Sequence, residues 1–296
     1  MNRKHVFLIA LFFLVSISSV TLKVQSVEAS GTVYIRADGS IDPSTAPIST
    51  SDNVTYILTG NITSDSNGIV VERDDIVVEG SGFSIEGTGL DYGIYLFGRS
   101  NVTIQNTNIS NFDNGILLFS SSNNNMGGNN MTNGNYGIVL DSASNNTIAG
   151  NNMKNNSHGI GIGYSSDFNS ISGNTLANNS CGVWLYESSN NTICHNNFIN
   201  NTVQVRSDTP DYANSWDNRR EGNYWSNYNG TDANHDGIGD TPYFIDANNT
   251  DHYPLMDIIP EFPQFLILPL FMMVTSLILI LCKRKRAKLS RATCVL

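Results

Sequence analysis

The densest run of potential metal ligands lies near the C-terminal end of the chain. Side-chain oxygens occupy its first, third, fifth and ninth positions, at Asp232, Asn234, Asp236 and Asp240. Gly237 stands at the sixth position, where a calcium loop needs a residue that permits a sharp bend. The twelfth position is Tyr243 instead of the Glu of a full EF-hand, so the run resembles shorter extracellular calcium repeats. The pattern predicts a structural calcium site, and a metal-free Asp- and Gly-rich turn is the alternative.

A row of aromatic side chains falls at the outward positions of a repeated strand pattern: Tyr95, Phe97, Phe119, Trp184 and Tyr186. Alternate residues of a strand point to opposite faces, so the aliphatic residues between these rings should point inward. Exposed rings on a flat ladder can stack on sugars, and a large exposed apolar area often marks a binding site. Gly161 and Gly163 interrupt the row. We expect carbohydrate binding on this face, and cover by a cap or a second copy of the chain is the alternative.

A thiol and an imidazole occupy equivalent positions of successive repeats. His158 and Cys181 each precede the glycine that opens a repeat, so stacking of the repeats should bring them close together. Both side chains suit copper or zinc. Two ligands form an incomplete site, and the inward offsets of the methionines Met126, Met131 and Met153 are typical of core packing. Copper at this pair is therefore ranked below calcium.

Groups for acid–base catalysis are sparse along the repeats. Lyases and hydrolases need clustered carboxylates with Arg, Lys or His, so that an acid can be paired with a base. The outward charges sit at differing offsets, and no two carboxylates are expected on one face of adjacent repeats: Asp91, Arg99, Asp113, Asp141, Lys154, Asp167 and Glu187. We expect a non-catalytic protein. A polysaccharide-active enzyme (lyase, hydrolase or epimerase) is the alternative.

The elements that position all these groups repeat about every 22 residues. Five segments open with a residue–Gly pair followed by alternating aliphatics, and their glycines are 22, 22, 22 and 23 residues apart: Gly93, Gly115, Gly137, Gly159 and Gly182. Short period-two strands between Asn, Gly and Ser turns predict coils that stack about 4.8 Å apart around one apolar column. The pattern therefore predicts an all-β fold, a single parallel β-helix. Leucine-rich repeats would need a leucine consensus, and a disordered chain would not keep aliphatics at fixed offsets.

One asparagine recurs at the same turn of each repeat, at Asn129, Asn151, Asn174 and Asn196. Stacked Asn side chains can hydrogen-bond along such a ladder, and Asn tolerates the left-handed backbone conformation. This column is therefore assigned to structure and not to function.

Both ends of the chain have the composition of targeting segments. Residues 1–29 combine a basic start, an apolar run and a small-residue cleavage pattern, which predicts a signal peptide. The apolar run 265–282 is long enough to cross a bilayer, and the basic residues 283–296 favour the cytoplasmic side. We expect a single-pass protein of the cell membrane, with its repeats outside the cell.

Between these segments lies one elongated domain. The repeats occupy residues 67–202, between a predicted N-terminal cap at 30–66 and a predicted C-terminal cap at 203–257, and a linker covers 258–264. The chain carries a formal net charge of −10 and lacks the basic track that nucleic acid requires. The expected partners are a glycan or a surface protein of the cell envelope, and the membrane through the C-terminal helix.

Several segments resemble those of NosD-like proteins. The stretch Asn190–Phe198 is similar to the coil consensus of that family, and the stretches 222–228, 236–243 and 251–255 are similar to its closing segment. The resemblance implies a right-handed parallel β-helix of the pectin-lyase type, with repeats shared by carbohydrate-binding and sugar-hydrolysing proteins. It also implies a third function, because the family is named after a periplasmic accessory protein for copper-site assembly in nitrous oxide reductase. The end of the chain, from residue 260, resembles archaeal C-terminal sorting signals, which would replace the membrane span by a lipid anchor.

Overall fold

The computed structural model describes residues 29–260, and every regular element among them is a β-strand. The chain visits three sheets in turn, so that each circuit adds one strand to each sheet. The fold is a right-handed parallel β-helix, which confirms the predicted fold class. No segment within 29–260 forms a helix with the length and hydropathy that a membrane crossing requires. The predicted signal peptide (apart from Ala29), membrane span and basic tail lie outside the described residues.

The strands of each sheet follow one another along the axis of the solenoid. The first sheet contains Val33–Ile35, Ile41–Asp42, Ile69–Val71, Tyr92–Phe97, Asn114–Phe119, Tyr136–Asp141, His158–Gly163, Cys181–Tyr186 and Val203–Ser207. The second sheet contains Ile48–Ser49, Thr55–Leu58, Val77–Glu79, Thr103–Gln105, Asn125–Gly127, Thr147–Ala149, Ser170–Ser172 and Thr192–Cys194. The third sheet contains Ala29–Ser30, Ile62–Thr63, Ser84–Glu86, Asn108–Ser110, Asn130–Thr132, Asn152–Lys154, Thr175–Ala177, Asn197–Ile199 and Tyr224–Trp225. A separate antiparallel hairpin pairs Tyr243–Asp246 with Asn249–Asp251.

Inward aliphatic columns form the core. Ile94 is in register with Ile116, and the column continues through the same position of each later coil. These side chains have no exposed area from Ile94 to Val183, and Val205 in the last coil is half-buried. Burial of each Ile or Leu contributes about 1.5–3 kcal/mol, so the stacked coils stabilise a core that no single coil could close. The three methionines of the repeats are buried in equivalent columns of the second and third sheets, as their offsets predict: Met126, Met131 and Met153.

Asparagine ladders line all three corners of the coil. They are the first-corner ladder (Asn124, Asn146, Asn169, Asn191, Asn214), the second-corner ladder (Asn129, Asn151, Asn174, Asn196, Asn223) and the third-corner ladder (Asn156, Asn179, Asn201). At Asn151, the side-chain oxygen accepts the backbone N–H of Asn129 at 3.0 Å, and the side-chain N–H donates to the carbonyl of Met126 at 2.8 Å. All these side chains are buried, and each ties one coil to the coil before it.

The left-handed backbone conformation lies one residue before each of the four predicted Asn positions. Gly128, Gly150 and Gly173 have φ of 64°, 66° and 65°, and His195 has φ of 56°. The left-handed residue of each corner is therefore the one before the ladder Asn, and not the ladder Asn itself. The left-handed residue turns the chain at the corner, and the following Asn then points its amide inward to satisfy backbone groups that the turn leaves unpaired.

The two ends of the solenoid are closed differently. At the N-terminal end, Ile41–Asp42 and Ile48–Ser49 pair antiparallel to the outermost coil. At the C-terminal end, the Trp225 ring stacks between Phe198 and Tyr243, with centroid distances of 4.2 Å to each. The aromatic stack covers the open end of the apolar column, which is the role expected of a cap.

Candidate functional site

The outward face of the first sheet carries two parallel columns of side chains, set by the register of its strands. The inner column, which lies nearer the N-terminal end of each strand, contains Tyr95, Leu117, Val139, Gly161, Trp184 and Arg206. The outer column runs Phe97, Phe119, Asp141, Gly163 and Tyr186. Adjacent members of a column lie one coil apart, which is about 4.8 Å. Residues that are 22 or 23 positions apart in the chain thus become neighbours on one surface.

The rings on this face form two groups. The N-terminal aromatic group comprises Tyr92, Tyr95, Phe97 and Phe119, and the rings of Phe97 and Phe119 stack at 5.5 Å. The C-terminal aromatic group comprises Tyr136, His158, Tyr164, Trp184 and Tyr186, and the rings of Trp184 and Tyr186 stack at 5.9 Å. The structure therefore brings the five predicted aromatic residues together as a set of three and a set of two. We call the two groups together the aromatic face.

Three rings of the aromatic face were not predicted from the sequence. Tyr92 and Tyr136 precede the glycine of their repeats, a position shared with His158, and this common position is the signal that could have identified them. Tyr164 lies in the turn after a strand, with a left-handed φ of 55°, and its side chain is 51% exposed. A period-two pattern does not extend into a turn, so this ring could not be placed from spacing.

Gly161 and Gly163 lie between the two sets of predicted rings, but Tyr136 and Trp184 approach each other across Gly161. A Cβ at Gly161 would lie 3.0 Å from Cε1 of Tyr136 and 3.7 Å from Cε3 of Trp184. The absence of a side chain at Gly161 thus lets the two rings approach each other. At Gly163 the nearest atoms to such a Cβ belong to Tyr186, at 3.8 and 4.0 Å.

Polar groups hold parts of the aromatic face in place. The Trp184 indole N–H donates to Oδ2 of Asp208 at 2.8 Å, and the Arg206 guanidinium donates to Oδ1 of the same carboxylate at 2.8 Å. The bond from Arg206, followed by the bond from Trp184, lowers the pKa of Asp208. Burial raises the pKa of Tyr95, and the nearby Tyr92 and Asp141 raise it further. Asp141 therefore lies within electrostatic reach of the N-terminal aromatic group.

The predicted copper pair is adjacent, but its chemistry does not suit copper. His158 and Cys181 are in register on neighbouring strands. The Cys181 thiol donates to the carbonyl of Val183 at 3.2 Å, and burial raises the pKa of this thiol to about 11. The His158 ring stacks on Tyr136 at 4.4 Å, and burial lowers its pKa. Within residues 29–260, no three His, Cys, Asp or Glu side chains form a metal-binding group. One thiol and one imidazole form an incomplete set of copper ligands, and a metal ion would also have to displace the proton that burial holds on the thiol.

The predicted calcium loop is an exposed turn that bonds to itself. The Asp232 carboxylate accepts the backbone N–H of Gly237 at 2.9 Å, and Asp240 accepts that of Ala233 at 2.9 Å. The Asn234 amide donates to Asp236 at 3.0 Å. The four proposed ligands therefore make local hydrogen bonds within the turn. Calcium binding stays a prediction, and a melting temperature that does not respond to calcium or to a chelator would contradict it.

A cavity of about 580 Å³ lies in the C-terminal cap. Its lining includes His252, whose Nδ1 is 3.0 Å from Oδ2 of Asp217. Burial raises the pKa of Asp217, but hydrogen bonds from the backbone of His252 and Arg219 and from the His252 ring outweigh it and lower the pKa. The sequence did not identify this pair, because the two residues are far apart in the chain and belong to no repeat.

Comparisons with known proteins address the family and not the site. A family model described as "Periplasmic copper-binding protein (NosD)" matches residues 24–230. No curated protein matches the chain. Among solved structures, the chain is similar to an alginate lyase from Paenibacillus sp. str. FPU-7, with 15% identity over 57% of this chain and 70% of that chain and a TM-score of 0.39. A similarity of that level carries no argument about activity.

Proposed function

The chain belongs to the NosD family, and from that premise we propose that it is a non-catalytic surface protein whose aromatic face binds a glycan of the cell envelope. The observation that carries the proposal is the pairing of stacked rings along a rigid parallel sheet. Phe97 is 56% exposed although it stands on a strand with a fully buried inner face. Tyr95, Phe119, Trp184 and Tyr186 are half-buried. Flat rings that reach the surface of a rigid support are suited to stacking on sugar rings, with little loss of entropy on binding.

The groups beside the rings support binding instead of turnover. Arg206 is bonded to Asp208, so its charge is already paired and is not free to neutralise a uronate. His158 is stacked on Tyr136 with its pKa lowered, and its buried Nδ1 atom has no hydrogen-bond partner in the described part of the chain. A polysaccharide-active enzyme would need an acid and a base that both reach the bond to be cleaved in the substrate. Turnover of a uronate polymer by the purified protein would favour that alternative.

Copper handling is a weaker second function. It is supported by membership of a family described as periplasmic copper-binding. The residues that the sequence offered for it, His158 and Cys181, do not fit a copper centre, so we derive no copper chemistry for this chain. A specific copper site would show as stoichiometric copper uptake that is lost in His158→Ala.

The test of glycan binding is a glycan array followed by affinity measurements on single variants. We expect Trp184→Ala and Tyr186→Ala each to weaken binding about tenfold or more, because each removes a stacking ring. Trp184→Phe keeps a ring at this position and should retain most of the affinity. Phe244→Ala is the matched control, since Phe244 is a 70% exposed ring on the cap hairpin that belongs to neither aromatic group. Melting curves confirm that each variant is folded. Equal binding by Trp184→Ala and the control would overturn the proposal.

A further inference from the structure

Carboxylates accompany the rings of the aromatic face. Asp141 occupies the outer column between Phe119 and Gly163. Asp208 accepts the Trp184 indole N–H at 2.8 Å. Burial raises the pKa of Tyr95 and of Tyr136, and the nearby charges of Asp141 and Asp113, respectively, raise these pKa values further. Glu187 is the main cause of the raised pKa of Tyr186. Each aromatic group thus has acidic side chains among or beside its rings.

The cations that flank the aromatic face are already paired. Arg206 donates to Asp208 at 2.8 Å, and Arg99 lies 3.4 Å from Asp74. The lowered pKa of His158 keeps that ring neutral near neutral pH. Among the described residues, a ligand that approaches the face therefore meets the unpaired charges of Asp113, Asp141 and Glu187 and no free cation, which disfavours an anionic polymer and favours a cationic one.

The carboxylate of Asp141 is the best placed of these groups to contact a ligand. Its Oδ1 accepts the hydroxyl of Ser142 at 3.0 Å, and its Oδ2 accepts no hydrogen bond from any residue between 29 and 260. Gly163 contributes no side chain to the next position of the column, so the following side chain is Tyr186, two coils or about 9.5 Å away. A polar group of a sugar placed between them would contact a carboxylate on one side and an aromatic ring on the other.

We propose that the glycan bound by the aromatic face carries free amino groups, with a sugar ammonium held between Asp141 and the C-terminal aromatic group. This inference rests on the proposed function of that face. An ammonium combines a charge-assisted hydrogen bond to a carboxylate with attraction to the faces of aromatic rings. A neutral sugar makes the stacking contacts alone, and a uronate adds repulsion from the same carboxylates.

The test compares three tetrasaccharides on the purified full-length chain at mildly acidic pH and low salt. The probes are a glucosamine tetramer, its fully N-acetylated form and a galacturonate tetramer. We expect the glucosamine tetramer to bind at least tenfold more tightly than the acetylated form, and the galacturonate tetramer to bind most weakly. Added salt should reduce the preference for the amine, because screening weakens exposed charge pairs.

Two variants separate local recognition from net charge. Asp141→Asn should bring the affinities for the glucosamine and acetylated tetramers within about threefold of each other, with binding of the acetylated form retained. Asp65→Asn removes the same charge from an exposed position beside a third-sheet strand and should keep the preference. Equal binding of both tetramers by the native chain, or an unchanged preference in Asp141→Asn, overturns the amino-sugar inference and leaves glycan binding intact. Absence of binding to any tetramer and to the glycan array overturns both proposals.

Discussion

The Cys181 thiol and the His158 imidazole show how burial limits reactive side chains. The equivalent positions of the two residues predict that they are neighbours, and the register of the first sheet confirms it. The surroundings of the thiol, however, suppress its reactivity. The thiol is 5% exposed, donates to a backbone carbonyl and has its pKa raised to about 11. A buried thiol of this kind behaves as a packing group and not as a nucleophile or metal ligand.

The reactivity of Cys181 can be measured directly. At about pH 8 a thiol with an ordinary pKa near 8.5 is partly ionised, so the folded chain should alkylate roughly 100-fold more slowly at Cys181 than the urea-unfolded chain. Iodoacetamide labelling, followed by mass spectrometry of the peptide that contains Cys181, gives both rates. Labelling at comparable rates in the two states would show that the thiol is accessible and ionised, contrary to the structure.

Among the candidate site residues, the sequence predicted which face of a strand each side chain occupies. The alternation in Tyr92–Phe97 placed Ile94 and Leu96 inside and left Phe97 outside. It did not predict exposure, because Leu117 also points outward yet is only 7% exposed. The exposure of a residue depends on the side chains of neighbouring coils that cover it, and those side chains belong to residues that are distant in the sequence.

The asparagine ladders are the elements that bind one coil to the next at its corners. One of the three ladders was predicted from the sequence. The other two escaped because the repeats contain adjacent Asn pairs, such as Asn145 and Asn146. In this pair the first residue takes the left-handed turn, with φ of 59°, and the second points into the ladder. The two roles require the same residue type, so composition alone cannot assign them.

Loss of one ladder amide should destabilise the solenoid. Asn151→Ala leaves the backbone and side-chain N–H groups of Asn129 and the carbonyl of Met126 without their buried partner. Each such group costs about 1–3 kcal/mol, so we expect a loss of about 3 kcal/mol or more in the free energy of unfolding. Urea unfolding measures the loss.

The control for this substitution is Asn125→Ala, which removes an exposed amide from a second-sheet strand. A surface substitution of this kind should change stability by about 0.5 kcal/mol or less. If Asn151→Ala is no more destabilising than Asn125→Ala, the ladder does not hold the coils together.

On the scale of the whole molecule, the described chain ends on the flank of the solenoid. The side chain of Asn197 donates to the carbonyl of Ile259 at 2.8 Å and accepts the Ile259 N–H at 2.9 Å. The first part of the predicted linker is therefore bound to the third sheet. We propose that the chain is exported and anchored through residues 265–282, which lie outside the described residues.

The proposed anchor is tested by removing residues 261–296. The Asn197–Ile259 bonds and the C-terminal cap remain in the shortened chain, so we expect it to fold and to keep its glycan binding. We also expect it to leave the membrane fraction and appear in the soluble fraction, because the apolar run is lost. Cell fractionation beside the full-length chain gives the answer. A shortened chain that still pellets with membranes would place the anchor elsewhere.

The sequence by itself determined the period, the inward columns and the class of fold. The alternation of aliphatic and polar residues and the spacing of 22 or 23 residues can both be read directly from the sequence. Stacked coils are the arrangement in which all the aliphatic positions are buried together. The tertiary structure decided which outward groups meet. The approach of Tyr136 and Trp184 over Gly161, the bond from Trp184 to Asp208 and the place of Asp141 beside Gly163 each depend on contacts between coils. Stacking makes neighbours of residues that are one or more repeats apart, and the ring orientations follow from packing that no single repeat encodes.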